Sequence, residues 1–182
     1  MPSTGFVLGP IVLLTVLSSS CTPRPDQSSG TDESGSQAGA AGLADSALRN
    51  AEYRIEFGSV KRVRLVNGRF DDPENHVSAI LLQSLPGDLD GDAAEDAVVL
   101  IGSSGSASGS FTHMVPVLNR RRVQTGAATL LGDRIQLQAI SLGDRTVVIE
   151  MLTQGPKDPM CCPTLHVRQS YRLQGDSLAI LP

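Results

Sequence analysis

Along most of the chain beyond residue 60, apolar and polar side chains alternate with a period of two, in short runs separated by turn signals. "KRVRLV" sets Val63 and Leu65 against Arg62 and Arg64 and runs into Asn67-Gly68, a strong tight-turn signal. "RIQLQA" sets Ile135, Leu137 and Ala139 against Arg134, Gln136 and Gln138. "LHVRQSYRL" sets Leu165, Val167, Tyr171 and Leu173 against His166, Arg168, Ser170 and Arg172. Gly132-Asp133, Gly143-Asp144 and Gly175-Asp176 punctuate these runs. A period of two gives each strand one apolar face, and short connections favour antiparallel neighbours. The expected fold is therefore mainly β, an antiparallel sheet or sandwich of short strands. At most one short helix precedes it, at "LADSALRN" (Leu43–Asn50).

"AVVLI" (Ala97–Ile101) is apolar on both faces and reads as a central strand. "FTHMVPVL" (Phe111–Leu118) reads as its hairpin partner, with Pro116 marking an edge or a bulge. The linking "GSSGSASG" is too long for a tight turn; a surface loop is the default and a ligand-covering flap the alternative. With 182 residues, 40% of them hydrophobic, the chain supports one domain with its own core. Aromatic residues make up only 3%, so that core must be aliphatic and offers no platform for stacking bases or sugars. A net charge of −4 spread along the chain excludes a nucleic-acid footprint. The one basic cluster, Arg120-Arg121-Arg122, reads as an exposed strand end or turn.

The N-terminal region divides the chain into three parts. Residues 1–20 hold the apolar run "FVLGPIVLLTVL", too short to span a bilayer comfortably, followed by small residues, the layout of a secretory signal. The "SSSC" that follows resembles a bacterial lipobox, in which Cys21 is lipidated and becomes the first mature residue. The n-region "MPSTG" lacks Lys and Arg, and Ser18 stands where a lipobox usually carries an aliphatic residue. A plain secreted protein and an uncleaved anchor are the competing readings. With Thr22 rather than Asp after the cysteine, the resemblance implies outer-membrane sorting. Residues 21–42 are dominated by Pro, Ser, Gly and Asp and read as a flexible tether. Its reach is about 25 Å for about 20 residues. Residues 43–182 are the folded domain, expected to be a monomer.

"GDLDGDAAEDAVVLI" (Gly87–Ile101) crowds Asp88, Asp90, Asp92, Glu95 and Asp96 in front of the central strand, with no Lys or Arg between Arg69 and Arg120. Counting from Asp88, aspartates fall at positions 1, 3, 5 and 9, and Ala94 at position 7 offers a backbone carbonyl. Calcium takes six to eight oxygens at about 2.3–2.6 Å, and acids at alternate loop positions can point inward toward it. The stretch resembles the calcium loops of FG-GAP and integrin-type repeats, which place such an acidic loop directly before a strand. It departs from an EF-hand, because Val99 stands where Glu is required and no helix follows. It also carries Ala93 where Gly is usual, at about 1–2 kcal/mol if the backbone there is left-handed. The bland alternative is a solvated acidic turn. Either way a structural role is expected, since nothing nearby supplies a reacting group beside an open metal position.

"DPMCCPTLH" holds Cys161 and Cys162. In an oxidising compartment thiols pair. Adjacent cysteines are awkward partners, because trans Cα atoms lie about 3.8 Å apart while disulfides prefer about 4.4–6.8 Å. Three readings stand: a vicinal disulfide between Pro159 and Pro163, two reduced thiols buried or partly buried, or a redox- or metal-responsive site. His166 reads as a solvent-facing strand residue rather than a metal partner of the cysteines. His76 and His113 read as surface residues. Nucleophile-elbow, dinucleotide, P-loop and zinc-protease motifs are absent. Asp71, Asp72 and Glu74 are acids at a turn, so no enzymatic activity is expected.

"GDLDGDAAEDAVVL", "VLNRRRVQTGAATLLGDRIQLQ" and "GPKDPMCCPT" together are similar to a group of bacterial exported proteins and lipoproteins with D-x-D-G-D, L-L-G-D-R and C-C-P segments in this order. The similarity spans roughly residues 50–180. It implies an exported domain and carries no activity with it. The expectation is a lipid-anchored envelope module, binding an envelope protein or ligand, with a structural calcium loop.

Overall fold

A segment with no polar face belongs where both faces are covered, and the structure puts it there. In the computed structural model, which describes residues 43–57, 60–105 and 109–182, strand β5 (Asp96–Ser104) is buried on both sides from Asp96 to Ile101. It pairs antiparallel with β4 (Val77–Gly87) and with β6 (Ser110–Asn119). β3 (Arg69–Asp72) extends the sheet beyond β4, and β7 (Val123–Thr125) and β8 (Thr129–Asp133) share the far edge of β6. A second sheet has the order β12 (Ser177–Ile180), β11 (Leu165–Gln174), β10 (Thr146–Thr153), β9 (Gln136–Gly143). A two-stranded sheet joins β1 (Glu52–Tyr53) and β2 (Val63–Arg64), preceded by helix α1 (Asp45–Leu48). The described residues are mainly β, with three antiparallel sheets.

Two separate cores flank the six-stranded sheet. Val99 and Ile101 of β5 and Val115 and Val117 of β6 pack against Leu48, Tyr53, Ile55, Val63 and Leu65 from the N-terminal elements. Val98 and Leu100, with Met114 and Leu118, point the other way, onto Val147, Ile149, Met151, Tyr171 and Leu178 of the second sheet. Both cores are almost wholly aliphatic, as the scarcity of aromatics requires. The Tyr53 hydroxyl, buried in the first, donates to the Leu48 carbonyl at 2.7 Å and so pins α1 to β1.

Several expectations meet the structure in detail. Asn67 and Gly68 have φ of 52° and 82°, and Val66 and Arg69 exchange backbone hydrogen bonds across them, the geometry of a type I′ turn. Asp144 and Arg145, with φ of 49° and 58°, turn β9 into β10. Pro116 is neither at an edge nor at a bulge. β8 pairs with residues 111–114 of β6 and β7 with residues 117–119, so Pro116 faces the gap between them. Its carbonyl points to that side and accepts the Gly126 N–H at 2.8 Å. Because the N and O of one antiparallel residue point the same way, the missing N–H also faces the gap, and no ladder bond is lost.

The alternation expected in "RIQLQA" breaks at Gln138. Glu150 opposes Ala139 but Met151 opposes Leu137, so Gln138 is an extra residue in a β-bulge. Leu137, Ile140 and Leu142 then face the core and Ala139 is exposed. The start of "GSSGSASG" is strand, since Gly102, Ser103 and Ser104 pair with Thr112, Phe111 and Ser110. The flap reading falls on residues 106–108, outside the described residues, as do the leader, Cys21 and the tether.

Candidate metal centre

The acidic segment connects β4 to β5, whose pairing ends at Gly87 opposite Asp96. Its shape comes from aspartates turned onto their own backbone. Asp88 accepts the N–H groups of Gly91 (2.6 Å) and Ala93 (3.3 Å), Asp90 that of Asp92 (3.2 Å), and Asp92 that of Ala94 (2.8 Å). Such bonds are what short acidic side chains do in turns, in place of ladder bonds. Leu89 is buried in the second core and nails the loop to the sheet. Gly91 and Ala93 have φ of 89° and 65°, so Ala93 does occupy the left-handed conformation that Gly would favour.

Asp96, at the start of β5, is 0% exposed. Its two oxygens accept the Leu89 N–H (3.0 Å) and the Asn119 N–H (2.7 Å), tying the loop to the end of β6. Asp88, Asp90, Asp92 and Asp96 each bring one carboxylate oxygen within 4.8 Å of those of the others. Two oxygens on opposite sides of an ion at about 2.4 Å lie about 4.8 Å apart, so this spacing fits one calcium-sized ion. Ala94 takes part through its N–H to Asp92. Glu95 is exposed and stands apart from the group.

Fold, not sequence, brings basic groups to the loop. The Arg120 guanidinium donates from Nε (2.9 Å) and Nη2 (2.8 Å) to Asp90 Oδ2. Burial pushes the Asp90 carboxyl up, but the Arg120 and Asp92 hydrogen bonds outweigh it and hold the group below the usual carboxylate range. Arg145 lies against the loop from the β9–β10 turn, and a Cβ on Gly91 would stand 2.9 Å from its Nη1. Arg120 is indeed at an exposed turn with its two neighbours, as expected, but it also caps the cluster.

The other candidates fall out differently. His113 is not a surface residue: it faces inward on β6, is 4% exposed, and its Nε2 lies 2.9 Å from Ser103 Oγ. The reason is alternation, since His113 shares a face with Val115 and Val117. Burial pushes its pKa down. Ser103 and His113 form a pair of the nucleophile–base type, but Ser103 is itself buried and, among the described residues, no carboxylate bonds the imidazole. A cleft of about 540 Å³ beside His113 is lined by Arg54, Lys61 and Arg62. Asp176, Glu56 and Glu52 respectively pair with these cations, so the cleft carries no uncompensated charge. Asp72 is used in a turn, where the Asn75 side chain and N–H hold its carboxyl below the usual range. His166 is exposed on β11, as expected, and His76 is exposed with φ of 52°. Cys161 and Cys162 are exposed, not buried, and are joined as a vicinal disulfide.

Comparison with protein-family models, with curated proteins and with solved structures finds no match. The reading of this site therefore stands on its geometry.

Proposed function

We propose that this chain is a non-enzymatic cell-envelope module, carried on a lipid at Cys21, whose Asp88–Asp96 loop is a structural calcium site. The observation that carries the metal reading is the convergence of four aspartate oxygens within 4.8 Å at the mouth of a two-faced core strand. At that range carboxylates repel, and Arg120 offsets only one of the four. A cation held by Asp88, Asp90, Asp92 and Asp96, with the Ala94 carbonyl and water completing six to eight oxygens, neutralises the rest and locks the bend. Affinity in the weak extracellular range, about 10⁻⁴–10⁻³ M, suits an exported domain. The lipid anchor and envelope location rest on the lipobox resemblance at Cys21 and on the Pro- and Ser-rich tether. Binding of an envelope protein or ligand is the role such a tethered module serves.

The test is thermal unfolding with added calcium. A site specific to the folded state stabilises by RT ln(1 + [L]/Kd), about 1.4 kcal/mol at ten times Kd. Melting temperature should rise over the low-millimolar range in the native protein and stay flat in Asp90→Ala. A flat response in the native protein up to 10 mM, about ten times the weakest Kd expected, ends the calcium reading. Palmitate labelling that persists in Cys21→Ser ends the anchor reading.

A further inference from the structure

β10 and β11 are joined by residues 154–164, and the loop is closed at its base by the Thr153–Leu165 pair. Inside it, Asp158 clasps both legs: its carboxylate accepts the Gly155 N–H (2.8 Å), the Thr164 N–H (2.7 Å) and the Thr164 hydroxyl (2.8 Å). The Cys162 N–H donates to the Pro159 carbonyl at 3.0 Å and completes the turn. Pro159 and Pro163 restrict the backbone on either side. None of these interactions uses a cysteine side chain.

Against that background the Cys161–Cys162 bridge has no structural work. A cross-link between sequence neighbours closes no loop, so it removes almost no entropy from the unfolded chain. It ties no second element to the sheet. Both residues are exposed to solvent, as exchange with an incoming thiolate requires.

We propose that Cys161 and Cys162 form a reversible dithiol–disulfide exchange site, whose reaction partner is a dithiol. One partner thiolate attacks the sulfur of one cysteine. The Cys161–Cys162 bond breaks, the other cysteine leaves as thiolate and a mixed disulfide forms. The partner's second thiolate then attacks the partner's own sulfur in that mixed disulfide. The partner leaves as a disulfide, and the two thiolates left on this chain take up the two protons that the partner lost. The pair gains two electrons and the partner loses two. The Asp158 clasp keeps the loop in place in both states, so exchange proceeds without unfolding. This inference is independent of the calcium loop, which lies on another connection.

The experiment equilibrates the full chain in mixtures of reduced and oxidised dithiothreitol, quenches by alkylation and maps peptides so that Cys21 is scored separately. The expected result is full conversion between bridged and reduced pair, with the reduced-to-bridged ratio rising tenfold for each tenfold rise in the reagent ratio. Melting temperature should agree between the two states within about 1 °C, under the 2–4 °C that about 1 kcal/mol produces in a domain of about 150 residues. In Cys162→Ser, Cys161 should form a mixed disulfide with oxidised glutathione. Free thiols at both positions after oxidation, reduction only on unfolding, a larger fall in melting temperature on reduction, or no glutathione adduct would each overturn the proposal.

Discussion

Asp96 and Ala93 show how differently two residues of one loop are constrained. The Asp96 carboxylate is sealed from water and used on both oxygens by backbone donors. Asp96→Ala removes the carboxylate that accepts the Leu89 and Asn119 N–H groups, at about 1–3 kcal/mol each. Denaturant unfolding without calcium should show a loss of about 2–6 kcal/mol, and saturating calcium should widen it, since Asp96 is also one of the proposed ligands. Ala93 holds a left-handed backbone at about 1–2 kcal/mol, while Gly in its place loses about 0.5–1 kcal/mol of chain entropy. Ala93→Gly should therefore stabilise by up to about 1.5 kcal/mol and tighten calcium binding. His113 sets a pH dependence. Its folded pKa lies below the usual value of about 6.5, so the unfolded chain binds the extra proton more readily. Its contribution is fully present above about pH 6.5 and is lost as pH falls from there through the folded value. In His113→Gln, whose amide can still reach Ser103, the melting temperature should lose that dependence. Arg54, Lys61, Arg62 and Glu56 line the cleft beside it.

At the scale of elements, β5 carries the sharpest test. Leu100 and Ile101 are consecutive and point into different cores. Leu100→Ala and Ile101→Ala should each cost about 2–5 kcal/mol by chemical denaturation. In a sheet with one wet face, one of the two would be nearly neutral. Gly126 is set by a second close approach, where a Cβ would lie 2.1 Å from the Asp176 carbonyl oxygen and 2.7 Å from Pro116. Backbone cannot yield as a side chain does, so Gly126→Ala should cost about 2–3 kcal/mol. β5, its hairpin partner, the Asn67-Gly68 turn and the faces of β11 were all legible from local pattern. β4 and the phase of β9 were harder to see. Bulges at Leu82 and Gln138 shift the phase of alternation in β4 and β9, and a strict period of two cannot follow such a shift. The run Val147, Ile149, Met151 in β10 was a usable signal, being a plain alternation.

Across the whole molecule, the middle sheet is protected on one side by the N-terminal elements and on the other by the second sheet. That arrangement follows from an apolar content concentrated in β5 and β6, which one core could not have covered. It also makes the acidic loop a junction, with Leu89 in one core, Asp96 bonded to the end of β6 and Arg145 arriving from the second sheet. What the amino-acid order determined alone is local. The two-residue period, the turn residues and the four aspartates at alternate positions are properties of neighbours in the chain, and short-range sterics and hydrogen bonding act on neighbours. Which charges meet was decided only by tertiary pairing. Arg120 is thirty positions from Asp90, and the β5–β6 hairpin brings them to hydrogen-bonding distance. His113 was taken into the interior by strand register, and the cysteine pair was left outside it by a loop with its own clasp. Burial is a property of the packed whole, because it depends on what lies across the interface and not on what lies next along the chain.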